Sequence, residues 1–213
     1  MVSVYDTTMR ALILVDLQYD FCPGGALAVP RGDATIEVAN RLLPHFSTVV
    51  ATQDWHPADH ASFATQHPGK RPGDVIELGG VPQVLWPPHC VQGSHGAELH
   101  QDLARAKITE VFPKGTDRTI DSYSGFFDNG HQKPTGLAEW LRERWITRVY
   151  VMGLATDYCV KATALDAREL GFETWLIEDG CRPVERAAGD GERAIAEMRG
   201  AGCAIVESGA IGA

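Results

Sequence analysis

Six short apolar runs, separated by longer stretches with helical periodicity, constrain the fold of this chain more than any other feature. The predicted strands are residues 11–15, 48–51, 110–112, 148–152, 173–177 and 203–206. The predicted helices are residues 33–43, 95–106, 135–144, 157–170 and 190–199. Strands that alternate with helices along the chain form a parallel sheet with helices on both faces. The pattern therefore predicts an α/β fold of three layers.

Composition limits the domain count, the partners and the location. The 213 residues, 44% of them hydrophobic, predict a single domain over residues 1–213. A net charge of -9 without a basic stripe argues against nucleic acid or anionic membranes as partners. The sequence is compatible with assembly into a homo-oligomer. Met1 to Thr7 lack the features of a signal peptide, and no apolar stretch has transmembrane length. Five cysteines without short spacing predict free thiols and a cytoplasmic protein.

A long segment, about residues 55–93, is rich in proline, glycine and histidine and indicates a functional loop. Asp54 and His56 lie where the second predicted strand ends, and His89 follows two prolines that stiffen its loop. One carboxylate and two imidazoles are ligands that a borderline divalent cation prefers. We predict a metal site at Asp54, His56 and His89. The alternative is a set of unrelated surface histidines.

Residues with catalytic chemistry follow the other predicted strands, and the carboxyl ends of parallel strands share one edge of the sheet. Asp16 follows the first strand, Lys114 the third and the segment 153–159 the fourth. Cys159 lies near a helix N-terminus, which together with Lys114 favours a thiolate, and Asp16 could act as general base. Backbone N–H groups of Ala155 and Cys159 could form an oxyanion hole. Taken singly, each side chain also fits an ordinary role: a turn residue, a solvated charge or a buried thiol.

Several ordered motifs then resemble one known family. They are Val15-Asp-Leu-Gln-Tyr-Asp-Phe21, Asp54-Trp-His-Pro57, Trp86-Pro-Pro-His-Cys-Val-Gln92, Phe112-Pro-Lys-Gly115, Asp121-Ser-Tyr-Ser-Gly-Phe-Phe127 and Gly153-Leu-Ala-Thr-Asp-Tyr-Cys-Val160. In this set and order they resemble the nicotinamidases of the isochorismatase-like cysteine hydrolase superfamily. The resemblance extends over almost the whole chain.

The resemblance implies a fold and an activity. It implies a sheet of strand order 3-2-1-4-5-6, a catalytic triad of Asp16, Lys114 and Cys159, and a cis peptide bond before Ala155. The implied reaction is hydrolysis of nicotinamide to nicotinate and ammonia through a thioester on the cysteine, with pyrazinamide as a second expected substrate. Asp16 would take the thiol proton, and Lys114 would stabilise both negative charges.

The resemblance also implies a metal and a ring-binding pocket. One divalent ion, zinc or iron with manganese possible, would bind the pyridine nitrogen at an open position. Phe21, Trp86 and Tyr123 lie inside the matched motifs and could hold a flat ring, although ordinary core packing is the alternative for each. His60 is either a fourth metal ligand or a neighbour that supports the ligands.

Two rival hypotheses remain at this point. A related hydrolase could act on another small amide or on an isochorismate-like substrate. A noncatalytic metal-binding module would instead close a four-ligand site with Asp54, His56, His60 and His89, and Cys159 would only pack in the core.

Overall fold

A six-stranded sheet forms the centre of the computed structural model, which describes residues 9–211. Its strands are β1 (Arg10–Val15), β2 (Thr48–Asp54), β5 (Glu110–Lys114), β6 (Arg148–Leu154), β7 (Glu173–Arg182) and β8 (Ala204–Val206). Every neighbouring pair is parallel, in the order β5-β2-β1-β6-β7-β8. Numbered among themselves, these six strands follow 3-2-1-4-5-6, because two further strands, β3 and β4, form a separate sheet. The predicted parallel sheet is confirmed.

The separate sheet is an antiparallel hairpin that the sequence analysis did not foresee. Strands β3 (Val75–Leu78) and β4 (Val81–Val84) lie inside the long segment 55–93. Gly79 and Gly80 connect them with φ angles of +62° and +83°. Two residues with positive φ form the tight turn that suits a hairpin, and Gly-Gly is a known signal for it. The segment is therefore partly ordered as a sheet of its own.

Helices cover the central sheet on both faces. They are α1 (Ala34–Leu42), α2 (Leu137–Glu143), α3 (Lys161–Glu169) and α4 (Asp190–Gly200). Both α1 and α3 pack against β6 and β7, and α3 packs against α4. Strands β1 and β6 are buried along nearly their whole length, as expected for strands covered on both sides. This burial explains why their sequences are continuously apolar.

The predicted helix at residues 95–106 is wrong. Only two single 3₁₀ turns form there, His95–Ala97 and Arg105–Lys107. The Ala97 carbonyl accepts hydrogen bonds of 2.8 Å from the side-chain amides of Gln18 and Gln53. These distant partners take the acceptor that a regular helix would need for its own backbone. Tertiary hydrogen bonds have thus overridden the local periodicity.

Two expectations extend beyond the described residues. The signal-peptide prediction rests on Met1 to Thr7, which lie outside them, and a single domain over residues 1–213 stays a prediction. Within residues 9–211, no helix is both long and apolar enough to cross a membrane.

Candidate active site and metal site

Four neighbouring strands bring the predicted catalytic residues to one edge of the sheet. Asp16 follows β1, Asp54 ends β2, Lys114 ends β5, and Cys159 lies in the π-helical turn Thr156–Val160 directly after β6. The register of β2 and β5 pairs Asp54 with Lys114. Since β5, β2, β1 and β6 are adjacent, the four side chains converge on one crevice.

Lys114 is the centre of this cluster. Its side chain is completely buried, and Nζ lies 2.9 Å from Asp16 Oδ2 and 2.5 Å from Asp54 Oδ1. Nζ also donates to the Ser122 carbonyl at 3.0 Å and lies 3.4 Å from Cys159 Sγ. Burial lowers the pKa of Lys114, but the two carboxylates outweigh burial and hold the pKa well above its usual value. The lysine is therefore a fixed positive charge between two acids and a thiol.

Asp16 has the environment of a base that works near neutral pH. Its Oδ1 accepts a 2.6 Å hydrogen bond from the Thr52 hydroxyl. Its Oδ2 pairs with the Lys114 ammonium at 2.9 Å and has no well-directed hydrogen bond from any other described residue. Burial raises the pKa of Asp16 to about 6, against the lowering effect of the Lys114 charge. Each oxygen of Asp16 thus has one close donor and keeps a lone pair that can receive a proton.

Cys159 corrects one expectation. Its side chain is buried, and burial raises the pKa of the thiol well above its usual value, although Lys114 lowers it. The prediction that this position favours a thiolate is therefore wrong, because desolvation outweighs the helix terminus and the lysine. Sγ and a carboxylate oxygen of Asp16 lie within 4.8 Å of each other. A reacting Cys159 needs a base close by, and Asp16 is in that position.

The backbone before Cys159 has the form that the family resemblance implies. The Leu154–Ala155 peptide bond is cis. The Ala155 carbonyl accepts 3.1 Å bonds from the N–H groups of Tyr158 and Val160, the residues on either side of Cys159. These bonds fix the turn that carries the nucleophile candidate.

The three predicted metal ligands come together beside the triad. Asp54 Oδ2 lies 3.5 Å from His56 Nε2 and 3.7 Å from His89 Nε2. His56 Nδ1 lies 2.9 Å from the Gly115 carbonyl oxygen, and His89 Nδ1 lies 2.9 Å from the Pro87 carbonyl oxygen. Each Nδ1 donates to its carbonyl, since a carbonyl oxygen only accepts, and this leaves Nε2 as the ring atom that faces Asp54. The Asp54 carboxylate raises the pKa of His56, against the lowering effect of burial. Two imidazoles and a carboxylate that converge in this way fit a divalent cation, which would take the place of a proton on Nε2.

His60 lies next to this group but is not part of it. Its Nδ1 lies 2.7 Å from the Ser62 hydroxyl, and its Nε2 lies 3.3 Å from the Ile120 carbonyl. The His60 ring is 4.4 Å from the His56 ring, centroid to centroid. Since both ring nitrogens have other partners, His60 supports His56 by packing. In the described part of the chain, the four-ligand site of the noncatalytic rival is not assembled.

An aromatic cleft opens onto Cys159, with about 340 Å³ of space when its solvent-filled mouth is included. All three predicted ring-binding residues line it, and the full lining is Phe21, Leu27, Asp54, Trp86, His89, Asp121, Tyr123, Ala155, Tyr158, Cys159 and Val184. Trp86 Nε1 donates to the Tyr123 hydroxyl at 3.2 Å, and the Trp86 ring meets the Tyr158 ring edge-on. These contacts hold the walls at fixed positions, as a planar ligand requires.

Four of the lining residues had no role predicted from the sequence: Leu27, Asp121, Tyr158 and Val184. Asp121 and Tyr158 lie inside matched motifs, so those motifs were a signal that could have identified them. Leu27 and Val184 lie in irregular segments without periodicity, and only the folded chain brings them to the cleft.

Known proteins match this chain in a family model, in sequence and in structure. The isochorismatase domain model matches residues 10–210. The nicotinamidase of Escherichia coli K12 is 54% identical over 200 residues, which cover 92% of this chain and 93% of that protein. Two crystal structures, each 40% identical in sequence, superpose on this chain. The first is PnC1 of L. infantum in complex with nicotinate, with a TM-score of 0.84 and an alignment that covers 96% of both chains. The pyrazinamidase of Pyrococcus horikoshii in complex with zinc has a TM-score of 0.76, covering 93% of this chain and 99% of that one.

Proposed function

The chain belongs to the isochorismatase family, and we propose that it is an amidohydrolase that converts nicotinamide to nicotinate and ammonia. One observation carries the proposal: Asp16, Lys114 and Cys159 are gathered and buried at one end of an aromatic cleft. The high identity to a nicotinamidase and the nicotinate complex of a second relative support the choice of substrate.

In the first half of the reaction, Asp16 Oδ2 takes the proton from Cys159 Sγ as the sulfur attacks the carboxamide carbon. The tetrahedral intermediate collapses when the C–N bond breaks, and the nitrogen leaves as ammonia with the proton held by Asp16. A thioester between the acyl group and Cys159 remains. A pKa near 6 suits Asp16 for both tasks, because it can accept and return a proton near neutral pH.

In the second half, Asp16 takes a proton from water, which attacks the thioester carbon. The C–S bond breaks, nicotinate leaves, and the proton returns to the sulfur. Lys114 offsets the negative charge that moves between Asp16 and Cys159, and its four close partners hold it in place throughout. The N–H groups of Ala155 and Cys159 would bind the oxyanion of each tetrahedral intermediate.

Asp54, His56 and His89 would hold one divalent cation, for which the zinc complex of the pyrazinamidase relative favours zinc over iron or manganese. When bound, the ion supplies a Lewis-acidic position that takes the ring nitrogen and orients the substrate. Phe21, Trp86 and Tyr123 would hold the ring by its faces and edges. Pyrazinamide has a ring nitrogen at the same place relative to its carboxamide, so it should be a second substrate.

The proposal includes a cytoplasmic location and a small-molecule substrate, without a nucleic-acid or membrane partner. All five cysteines are free thiols, which supports a reducing compartment. The net charge of -9 supports the choice of partner, because an acidic surface repels nucleic acid and anionic lipids.

The direct test is release of ammonia and nicotinate from nicotinamide by the metal-loaded protein. Ammonia release that requires Cys159 would support the proposal. Hydrolysis of other amides without hydrolysis of nicotinamide would favour the rival small-amide hydrolase. An absence of turnover on every amide, with metal bound, would favour the noncatalytic module.

A further inference from the structure

A second group of metal-ligating side chains lies away from the cleft. It consists of His131, from the irregular segment before α2, and Asp166 and Glu169, both on α3. One ligand atom from each residue lies within 4.8 Å of the other two. Asp166 and Glu169 are three positions apart, which places them on one face of the helix. The group therefore joins a loop to a helix.

Asp166 gives an independent sign that a ligand is missing. Its side chain is only 8% exposed, and its Oδ1 lies 3.3 Å from His131 Nε2. Its Oδ2 is buried and has no hydrogen-bond partner of adequate geometry among residues 9–211. The Ser124 side chain and His131 also interact with this carboxylate, but its burial outweighs both, and a buried oxygen without a well-directed donor is costly in free energy. A cation held by the carboxylate would remove that cost.

His131 is held in position for such a role. Its backbone has a positive φ of 53°, and its ring stacks on Phe127 with centroids 5.1 Å apart. Asp128 Oδ1 ties the loop together by accepting 2.9 Å bonds from the N–H groups of Gly130 and Gln132. Because the loop is already ordered, a ligand that binds to His131 pays little extra conformational entropy.

We propose that His131, Asp166 and Glu169 form a second divalent-cation site, distinct from Asp54, His56 and His89. One imidazole and two carboxylates are a donor set for zinc or a similar ion, with water completing the shell. Metal bonds of about 2.0–2.2 Å place tetrahedral ligand atoms roughly 3.3–3.6 Å apart, so the partly exposed side chains need to move by only about 1 Å. The ion would fasten the segment that carries Tyr123 to the helix that follows Cys159.

Zinc stoichiometry tests the proposal. Equilibrium dialysis of the protein, with the first site already loaded, should show a second zinc equivalent per chain. Glu169→Gln and His131→Asn should each weaken that equivalent roughly tenfold or more and leave the first equivalent intact. Asparagine tolerates the positive φ at position 131, so the loop is preserved. His95→Asn is the matched control, because His95 forms an exposed pair with Glu98 at 3.2 Å and no described third ligand joins it.

Histidine-selective NMR supplies a second measurement, in which the second equivalent should shift the imidazole signals of His131. A single equivalent in the wild-type protein would overturn the proposal. The proposal would also be overturned if both variants bound the second zinc equivalent as tightly as the wild type does and that equivalent left the His131 signals of the wild type in place. Amide hydrolysis with one equivalent bound should be unchanged in both variants, so failure here is separable from failure of the proposed reaction.

Discussion

Replacing Thr52 by valine should move the pH dependence of catalysis without touching any reacting atom. The Thr52 hydroxyl donates a 2.6 Å hydrogen bond to Asp16 Oδ1, and this bond stabilises the ionised carboxylate. Valine has nearly the same shape and cannot donate. The pKa of Asp16, raised to about 6 by burial, should therefore rise further in Thr52→Val.

The expected size of the shift follows from the energy of one hydrogen bond. A hydrogen bond to a charged group contributes about 1.5–3 kcal/mol, and one pKa unit corresponds to about 1.4 kcal/mol. The pKa of Asp16 should thus rise by about 1–2 units, to about 7–8. At a pH equal to the wild-type pKa of Asp16, which is about 6 before the effect of a bound cation, the ionised fraction of Asp16 would fall roughly 5- to 50-fold, and kcat/KM should fall by the same factor. At about pH 9 the two proteins should differ little, because Asp16 is ionised in both.

The assay is kcat/KM for ammonia release across the pH range, with two controls. Thr52→Ser keeps the hydroxyl and should restore the wild-type profile. Thr174→Val removes another buried hydroxyl, on β7, which donates to the Phe172 carbonyl, and should leave the profile unchanged. Circular dichroism and thermal unfolding check the fold, since Thr52 Oγ1 also accepts a 3.2 Å bond from the Asp16 N–H. If kcat/KM falls on the acidic side at the same pH in Thr52→Val as in the wild type, Asp16 is not the titrating base.

Three further predictions concern the other parts of the site. Cys159→Ala should abolish ammonia release while circular dichroism and metal content stay as in the wild type. Cys203→Ala is the control and should remain active. Turnover by Cys159→Ala would refute the covalent mechanism. Removal of the metal by chelation should raise KM for nicotinamide, measured at about pH 9, far more than for benzamide, which lacks the ring nitrogen. Equal losses for both amides would contradict binding of that nitrogen. Lys114→Met should raise the pKa of the Cys159 thiol, so that alkylation by iodoacetamide requires higher pH; an unchanged alkylation profile would mean that the lysine does not act on the thiol.

The sequence contains enough information to assemble the catalytic edge. Asp16, Asp54, Lys114 and Cys159 each follow or end an apolar run, and parallel strands place such positions at one edge of the sheet. The strand order came from the family resemblance, and it makes the four strands neighbours. Position in the chain and strand order together were therefore sufficient to predict proximity.

Proximity does not determine protonation, and there the sequence analysis was wrong. Residue types near Cys159 suggested a thiolate, since a lysine and a helix terminus both favour negative sulfur. The depth of burial, which depends on the whole fold, decides the balance in the other direction. The same burial turns Asp16 into a base near neutral pH.

Local periodicity was misleading where distant groups supply hydrogen bonds. Residues 95–106 have a helical pattern, yet Gln18 and Gln53 occupy the Ala97 carbonyl and only two 3₁₀ turns form. In the opposite case, Gly79 and Gly80 were a local signal for a hairpin that was not used. Its strand β4 carries Gln83, which donates to Asp121 and Tyr123 in the cleft wall.

Asp54 connects the two halves of the site electrostatically. One of its oxygens binds Lys114, while the other faces the two imidazoles of His56 and His89. The charge of Asp54 raises the pKa of Asp16, so a cation held at Asp54 would offset that charge and lower the pKa of the base. Chelation should then weaken hydrolysis of every amide at acidic pH, through Asp16, and weaken only ring-nitrogen substrates once Asp16 is fully ionised. The comparison of nicotinamide with benzamide isolates binding of the ring nitrogen only at alkaline pH, and the acidic range reports the coupling between the metal ligands and the base.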